Sequence, residues 1–480
     1  MGLFRLLMRD TAIYGVSSII SRSIAFLVLP IYTRFFTPTE YGFIDLLNII
    51  GAFVTFIATL EITQAVARFF PQTSSHRRRR AIVSSAFLFA LGGYGLFAVI
   101  ALGIIWLQPG FYKSFAVTGR LATVMAVFSI VGMGLFYFLQ SQLRWQLKAK
   151  EYAIVSTLVT AVTVALSLAA TLVLHYRTAG VFGAQVVGYL IGCVGAWIYT
   201  RDLYRLHFNR RIVAELLRFS WPLVPASISI YISQFADRFS IEVLMGPNDL
   251  GIFSVGYRIA SIAALITIGI QASLTPLIYT HYRNPDFGSN LRVFGLAYVL
   301  GSTLLLLSLG GFSHEIITIV SGARFWGASV VVTPLLLSIL VSGATNLVPG
   351  LFIAKKTPII AWLQVAAALV NLAFNFVLIP ILGIAGAAMA TAVSALSLFA
   401  GYAWFGRKDF PHTLPLMRCA GALAVGTAAA LLLSQMHPAI TFADAATKLL
   451  TGMMALAAIL ALLLDRQAVN VIVGLARRTG

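Results

Sequence analysis

The alternation of apolar and polar positions divides the chain into fourteen apolar stretches of roughly twenty residues, the length a helix needs to cross a bilayer. They lie near 11–33, 44–70, 81–107, 118–140, 152–175 and 180–200. After a polar break at 201–220, they resume near 219–245, 250–277, 291–312, 328–353, 357–379, 384–405, 415–434 and 446–465. This pattern predicts an all-α polytopic membrane protein of 14 transmembrane helices. Its parts are an N-lobe over 1–200, a cytoplasmic linker over 201–218, a C-lobe over 219–406, and a last pair of spans with a cytoplasmic tail over 407–480. The first span follows Arg5 and Arg9 but is too long for a signal-peptide core and lacks a small-residue cleavage site, so it reads as a retained helix. Prolines inside the runs, such as Pro30, Pro222 and Pro334, predict kinks.

The lobes echo each other. TRFFTPTEYGFIDLL after the first span resembles EVLMGPNDLGIFSVG after the seventh, with Pro, an acidic residue and Gly in matching places. KAKEYAIVSTLVTAV leads the fifth span as AKKTPIIAWLQVAAA leads the eleventh. Copies separated by an even number of spans run in the same direction, so the lobes are parallel repeats, and such repeats place a transport site at the midplane between them.

Polar residues inside the apolar runs fall in stripes. Span one spaces Thr11, Tyr14, Ser18, Ser21 and Arg22 by threes and fours, and span two does the same with Glu61, Gln64 and Arg68. Span seven carries Ser227, Tyr231, Gln234, Arg238 and Glu242, with Asp237 alongside; span eight has Ser254, Arg258 and Ser261; span eleven has Gln364, Asn371 and Asn375. A charge at membrane depth costs roughly 2.5–3.5 kcal/mol on insertion scales, so these residues should face a protein interior or a watery cavity. Asn371, Asn375 and the serines suit helix–helix hydrogen bonding as well as cargo contact. Asp237 and Glu242 are placed to neutralise an arginine, and Arg68 sits near enough to a membrane end to snorkel. Arg22 and Arg258 have no acidic neighbour on their own helix face, which makes them the strongest candidates for cargo contact.

Composition sharpens the membrane reading: 59% of the 480 residues are hydrophobic and 10% charged, against about 25% charged in a typical soluble domain. The formal charge of +19 would suggest nucleic acid in a soluble protein. Here 24 of the 34 basic residues fall in alternate connections that include both termini, and six on the opposite face, so both termini are expected in the cytoplasm. HRRRR at 76–80 then reads as an orientation signal beside anionic headgroups rather than a nucleic-acid site. The intramembrane charges sum to a slightly cationic core, and arginine's forked donors favour an anionic cargo bearing phosphate or carboxylate.

Enzyme signatures are missing. There is no GK[ST] phosphate loop, no HExxH and no metal-spaced His/Cys cluster, and Cys193 and Cys419 lie far apart in apolar segments. No cofactor is implied, and His314–Glu315 reads as a solvated pair rather than a proton relay. A polysaccharide polymerase would require a large outer loop bearing catalytic residues.

RDTAIYGVSSIISRSIAFLVLPIYTRFFTPTEYGFIDLL, followed by EITQAVARFF, resembles the amino-terminal signature of Wzx-type polysaccharide and O-antigen flippases, within the multidrug/oligosaccharidyl-lipid/polysaccharide (MOP) exporter superfamily that includes MATE transporters and lipid II flippases. The resemblance implies two lobes forming a V around a central cationic cavity that opens alternately to each side. It implies a cargo of undecaprenyl-pyrophosphate-linked oligosaccharide, moved from the inner to the outer leaflet of the bacterial inner membrane for surface polysaccharide synthesis. Arg22, Arg68, Arg238 and Arg258 would bind pyrophosphate or acidic sugars, with Gln64, Gln234, Asn371 and Asn375 as further contacts. Glu61 and Asp237 are candidates for coupling to H+ or Na+, and a polysaccharide polymerase is a possible partner. The alternatives are a drug/cation antiporter or a lipid II flippase of the same superfamily and, more remotely, a membrane polymerase.

Overall fold

In the computed structural model the described residues are 26–107, 119–205, 208–268, 287–410, 414–436 and 442–463, with isolated positions between these segments. They are helical throughout apart from short connections, and the chain divides into two compact units, Met1–Tyr231 and Ile232–Gly480. The first unit holds α1 (Leu29–Phe35), α2 (Pro38–Ile57), α3 (Ile62–Gln72), α4 (His76–Leu107), α5 (Gly119–Trp145), α6 (Ala149–Leu172), α7 (Arg177–Thr200) and α8 (Arg210–Ser220). Helix α9 (Val224–Leu244) runs across the division. The second unit continues with α10 (Pro247–Ala260), α11 (Phe287–Leu305), α12 (Ser313–Val320), α13 (Ser329–Ala344), α14 (Thr357–Leu382), α15 (Ile384–Gly406), α16 (Leu416–Gln435) and α17 (Phe442–Leu463).

Among the described residues eleven helices are long and apolar enough to cross a membrane. They correspond to spans two to six and nine to fourteen of the sequence pattern. The first span lies largely outside the described residues. The seventh is helix α9, which carries three charges, Asp237, Arg238 and Glu242. The eighth is interrupted after Ala260 by a turn at Ser261 and Ile262.

The repeat is visible in local geometry. Helix α2 starts with Pro38 after the N-cap Thr37, and α10 starts with Pro247 after Gly246; each has an acidic residue in its first turn, Glu40 and Asp249. In α2 these residues close a capping box: the Thr37 side chain accepts from the Glu40 amide while the Glu40 carboxylate accepts from the Thr37 amide at 2.9 Å. Helices α6 and α14 share a second device. Each follows a left-handed residue, Leu147 (φ 58°) or Lys355 (φ 56°). Each also has its N-cap lysine amide bonded five residues back, Lys148 to Leu143 and Lys356 to Leu351. The two lysines then tie down the end of the neighbouring helix: Lys148 Nζ donates to the Tyr199 carbonyl at 2.7 Å, and Lys356 Nζ to Asp409 at 2.8 Å.

Span two is not one continuous helix. Helix α2 stops at Ile57 and α3 begins at Ile62, with Leu60 and Glu61 in left-handed backbone (φ 48° and 55°). The stripe that placed Glu61, Gln64 and Arg68 on one unbroken face is therefore corrected: Glu61 sits in the break and the other two on the helix beyond it. The break is supported from α4, where Gly93 lies so close that a Cβ there would stand 2.0 Å from the Ala58 carbonyl oxygen. The adjacent Tyr94 hydroxyl donates to the Thr55 carbonyl at 3.0 Å. A side chain at 93 would collide with the turn, which is why glycine is needed at this position.

The polar segment 201–220 is structured rather than a bare linker. It forms a 3-10 turn (Arg201–Leu203) and α8, which buries Val213, Leu216 and Ser220 against α3 and α4. The reading of His314–Glu315 as a solvated pair is also corrected: Glu315 forms an ion pair with the buried Lys448 of α17, and His314 packs edge-on to Trp326.

Candidate functional site

In the first unit the break between α2 and α3 organises the polar residues. Glu61 is 3% exposed. Its carboxylate contacts the Ser227 side chain, while Oε2 has no hydrogen-bond partner. It lies in a tight crevice lined by Phe53, Phe56, Ser227 and Tyr231. The Tyr231 ring lies 4.6 Å from Phe56 and 6.4 Å from Phe53. Two consecutive non-glycine residues in left-handed backbone cost of order 1–2 kcal/mol each, strain of the kind that collects at functional sites. Beyond the break, Gln64 and Arg68 are exposed. The Arg68 guanidinium stands 4.4 Å from the centre of the Phe219 ring of α8, and no carboxylate pairs with it among the described residues. Stacking on an aromatic face orients the fork while leaving its N–H edge free to donate.

In the second unit a buried polar cluster forms around Asp237 of α9. One carboxylate oxygen accepts from Asn371 Nδ2 at 2.9 Å and Asn375 Nδ2 at 2.8 Å, and the other from the Thr391 hydroxyl at 2.7 Å. The Thr391 hydroxyl is also 3.0 Å from the Ala387 carbonyl. The asparagines lie one turn apart on α14, and the threonine faces them from α15. This brings together three of the sequence candidates, Asp237, Asn371 and Asn375. Thr391 was not singled out, because a lone threonine in the run AGAAMATAV looks like small-residue helix packing until α15 is seen against α14. In this arrangement both carboxamides turn their N–H groups to the carboxylate, and Asn375 Nδ2 also donates to Asn371 Oδ1 at 3.2 Å. No group of three His, Cys, Asp or Glu side chains suited to a metal occurs among the described residues.

Beside this cluster Arg238 is 4% exposed, with its guanidinium 4.1 Å from the centre of the Tyr257 ring. Arg258, in the last turn of α10, is half-buried, and its carbonyl accepts the Ser261 hydroxyl at 2.7 Å. Arg22 and the side chain of Gln234 fall outside the described residues. Of the sequence candidates, then, Glu61, Gln64 and Arg68 share a break in the first unit, and Asp237, Asn371 and Asn375 share a cluster in the second. Two residues the sequence did not rank, Phe219 and Thr391, complete these sites.

A family model described as polysaccharide biosynthesis protein matches residues 7–282. Among solved structures, the chain resembles the lipid II flippase MurJ in an inward closed conformation, with 12% identity and TM-score 0.71 over 93% of this chain and 97% of that one. It also resembles an inward-facing multidrug resistance MATE transporter of the MOP superfamily, with 13% identity and TM-score 0.63 over 84% and 95% of the two chains. A mutant of the Vibrio cholerae MATE transporter VcmN matches at 14% identity and TM-score 0.55 over 86% and 98%. These likenesses establish the fold. A comparison with curated proteins finds no match.

Proposed function

The chain belongs to the polysaccharide biosynthesis protein family, and from that premise we propose that it is a flippase for undecaprenyl-pyrophosphate-linked oligosaccharide. It moves repeat units from the inner to the outer leaflet of a bacterial inner membrane by alternating access. The arrangement proposed is fourteen spans in two pseudo-symmetric lobes around a central cavity, with both termini cytoplasmic. The observation that carries this reading is Arg68: an exposed, aromatically oriented guanidinium with no carboxylate partner among the described residues, on a short helix that begins at a break within a membrane-length apolar run. Such a group binds a phosphate oxygen strongly where water is scarce. Arg22 and Arg258 serve the same pyrophosphate. Arg238 engages it only when it leaves the Tyr257 face, while Gln64 and Gln234 meet the sugars.

Coupling is assigned to the two buried carboxylates. At Asp237 a monovalent cation takes the place of the N–H donors of Asn371 and Asn375, whose carboxamides turn their oxygens inward when the ion binds. Glu61, with a free buried oxygen in an aromatic cleft, suits a proton.

The test is polymer export from cells whose only copy is Arg68→Ala, Arg22→Ala or Arg258→Ala, each checked for insertion and folding. Export should fall at least about tenfold, the effect of losing one charge-assisted phosphate contact, and unflipped lipid-linked repeat units should accumulate. Wild-type export in all three would overturn the pyrophosphate assignment. The likeness to a lipid II flippase favours a second reading in which the cargo carries a peptidoglycan precursor. Rescue of a strain lacking lipid II flipping would select it.

A further inference from the structure

The most densely charged part of the first unit adjoins α8, the helix on whose Phe219 ring Arg68 rests. Between 76–80 and 201–220 stand nine arginines against two carboxylates, Asp202 and Glu215. Short-range hydrogen bonds collect these segments on one face. Ser84 Oγ donates to the Leu203 carbonyl at 3.2 Å and accepts from the Arg205 amide at 2.8 Å. Ser85 Oγ accepts from the Asn209 amide at 3.1 Å, and Arg80 Nε donates to the Asp202 carbonyl at 2.6 Å. Asn209 then caps α8 by accepting from the Arg211 amide at 2.9 Å. Glu215 is occupied by Arg78 at 3.2 Å. That leaves Arg77, Arg201, Arg205, Arg210, Arg211 and Arg218 exposed, and none of them pairs with a carboxylate among the described residues.

Guanidinium groups held on one face repel each other unless an anion sits among them. The surroundings indicate which anion. The patch borders the start of α4 and the end of α7, both membrane-spanning by length and composition, so it stands at headgroup level. Helix α8 is amphipathic, with its apolar residues turned into the unit and an exposed aromatic beyond each end: Phe208 is 47% and Trp221 61% exposed. Aromatic side chains beside a basic helix are the composition of an interfacial element.

We propose that this face is a docking surface for anionic phospholipid headgroups, whose phosphodiesters lie between Arg201, Arg205, Arg210 and Arg211 while Phe208 and Trp221 sit among the glycerol and upper acyl groups. The surface shares α8 with the Arg68–Phe219 contact but uses other residues of that helix, and it does not depend on which cargo Arg68 handles. Its anchoring turns arginines that serve chain orientation into a lipid-selective contact for the leaflet they border.

The experiment uses full-length protein in nanodiscs of mixed phosphatidylglycerol and phosphatidylcholine, followed by counting of retained lipid by native mass spectrometry. Wild type should retain phosphatidylglycerol preferentially, and less so as salt is raised. The quadruple variant R201Q/R205Q/R210Q/R211Q should lose that preference by about tenfold or more. The corresponding four-lysine variant, which preserves the orientation signal, should keep most of it. Equal retention of both lipids by wild type, or undiminished preference in the glutamine variant, would overturn the proposal. Should the glutamine variant fail to insert, the wild-type salt series decides: a preference unchanged between low and high salt also refutes it. Displacement of the lipid by short oligonucleotides at micromolar concentration would mark the face as a nucleic-acid site and refute it equally.

Discussion

Glu40 closes the capping box of α2 with Thr37 and, from a fully buried position, receives both arms of Arg177, with Nε and Nη2 each 2.5 Å from a carboxylate oxygen. One side chain thereby joins the start of α2 to the start of α7. Thr37→Ala should cost about 1 kcal/mol through loss of the cap alone. Glu40→Ala, which removes charge-assisted bonds as well, should cost about 2–3 kcal/mol. Both are read from thermal unfolding in detergent, and equal losses would show that the Arg177 pair contributes nothing. Asp237 is a different case, since it accepts three hydrogen bonds and is the carboxylate assigned above to ion coupling. Asp237→Asn preserves shape, so the protein should fold. Transport into vesicles should then lose its dependence on an imposed sodium gradient, and an unaltered dependence would remove Asp237 from the coupling scheme.

At the level of elements, the break at 58–61 and the left-handed turns at 147 and 355 are places where the backbone departs from the helix that periodicity predicts. Leu60, Glu61, Leu147 and Lys355 all carry side chains in a region that glycine adopts most easily, so neither composition nor a glycine marker announces these turns. The break survives because α4 packs on it through Gly93 and Tyr94. Gly93→Ala should destabilise the protein by about 1–3 kcal/mol, because its new methyl group meets backbone rather than a side chain that can move. Gly95→Ala on the same helix faces open space and should be neutral or slightly stabilising, given alanine's higher helix propensity. A comparison of the two unfolding temperatures separates packing on the break from any general effect of glycine in α4.

For the molecule as a whole, the final helices must be fastened to the rest of the second unit. Helices α16 and α17 pack on each other and on α11, and Lys448 of α17 reaches Glu315 of α12 while lying 5.8 Å from the centre of the Phe312 ring. Removing Lys448 leaves the part-buried Glu315 carboxylate without its ammonium. Lys448→Met should cost roughly 1–3 kcal/mol, while the double variant Lys448→Met with Glu315→Gln should recover much of that loss. A double variant no more stable than the single one would show that the helix is held by its apolar contacts alone. This pair also explains why a loop carboxylate that looks solvated in sequence is not: its partner lies 133 positions away.

The sequence by itself determined the membrane class, the positions of the eleven long apolar helices, and the motifs that recur between its halves. These follow from local periodicity and from motifs such as TPTEYG, whose Thr, Pro and Glu have a capping geometry complete within four residues. The charge asymmetry that motivates the orientation is equally a property of the chain. Tertiary structure alone decided that span two breaks at Glu61, that Thr391 joins Asp237, Asn371 and Asn375, that Arg68 rests on Phe219, and that Lys448 meets Glu315. Each depends on contacts between segments remote in sequence, where a helix face says which direction a side chain points but not what it will find there.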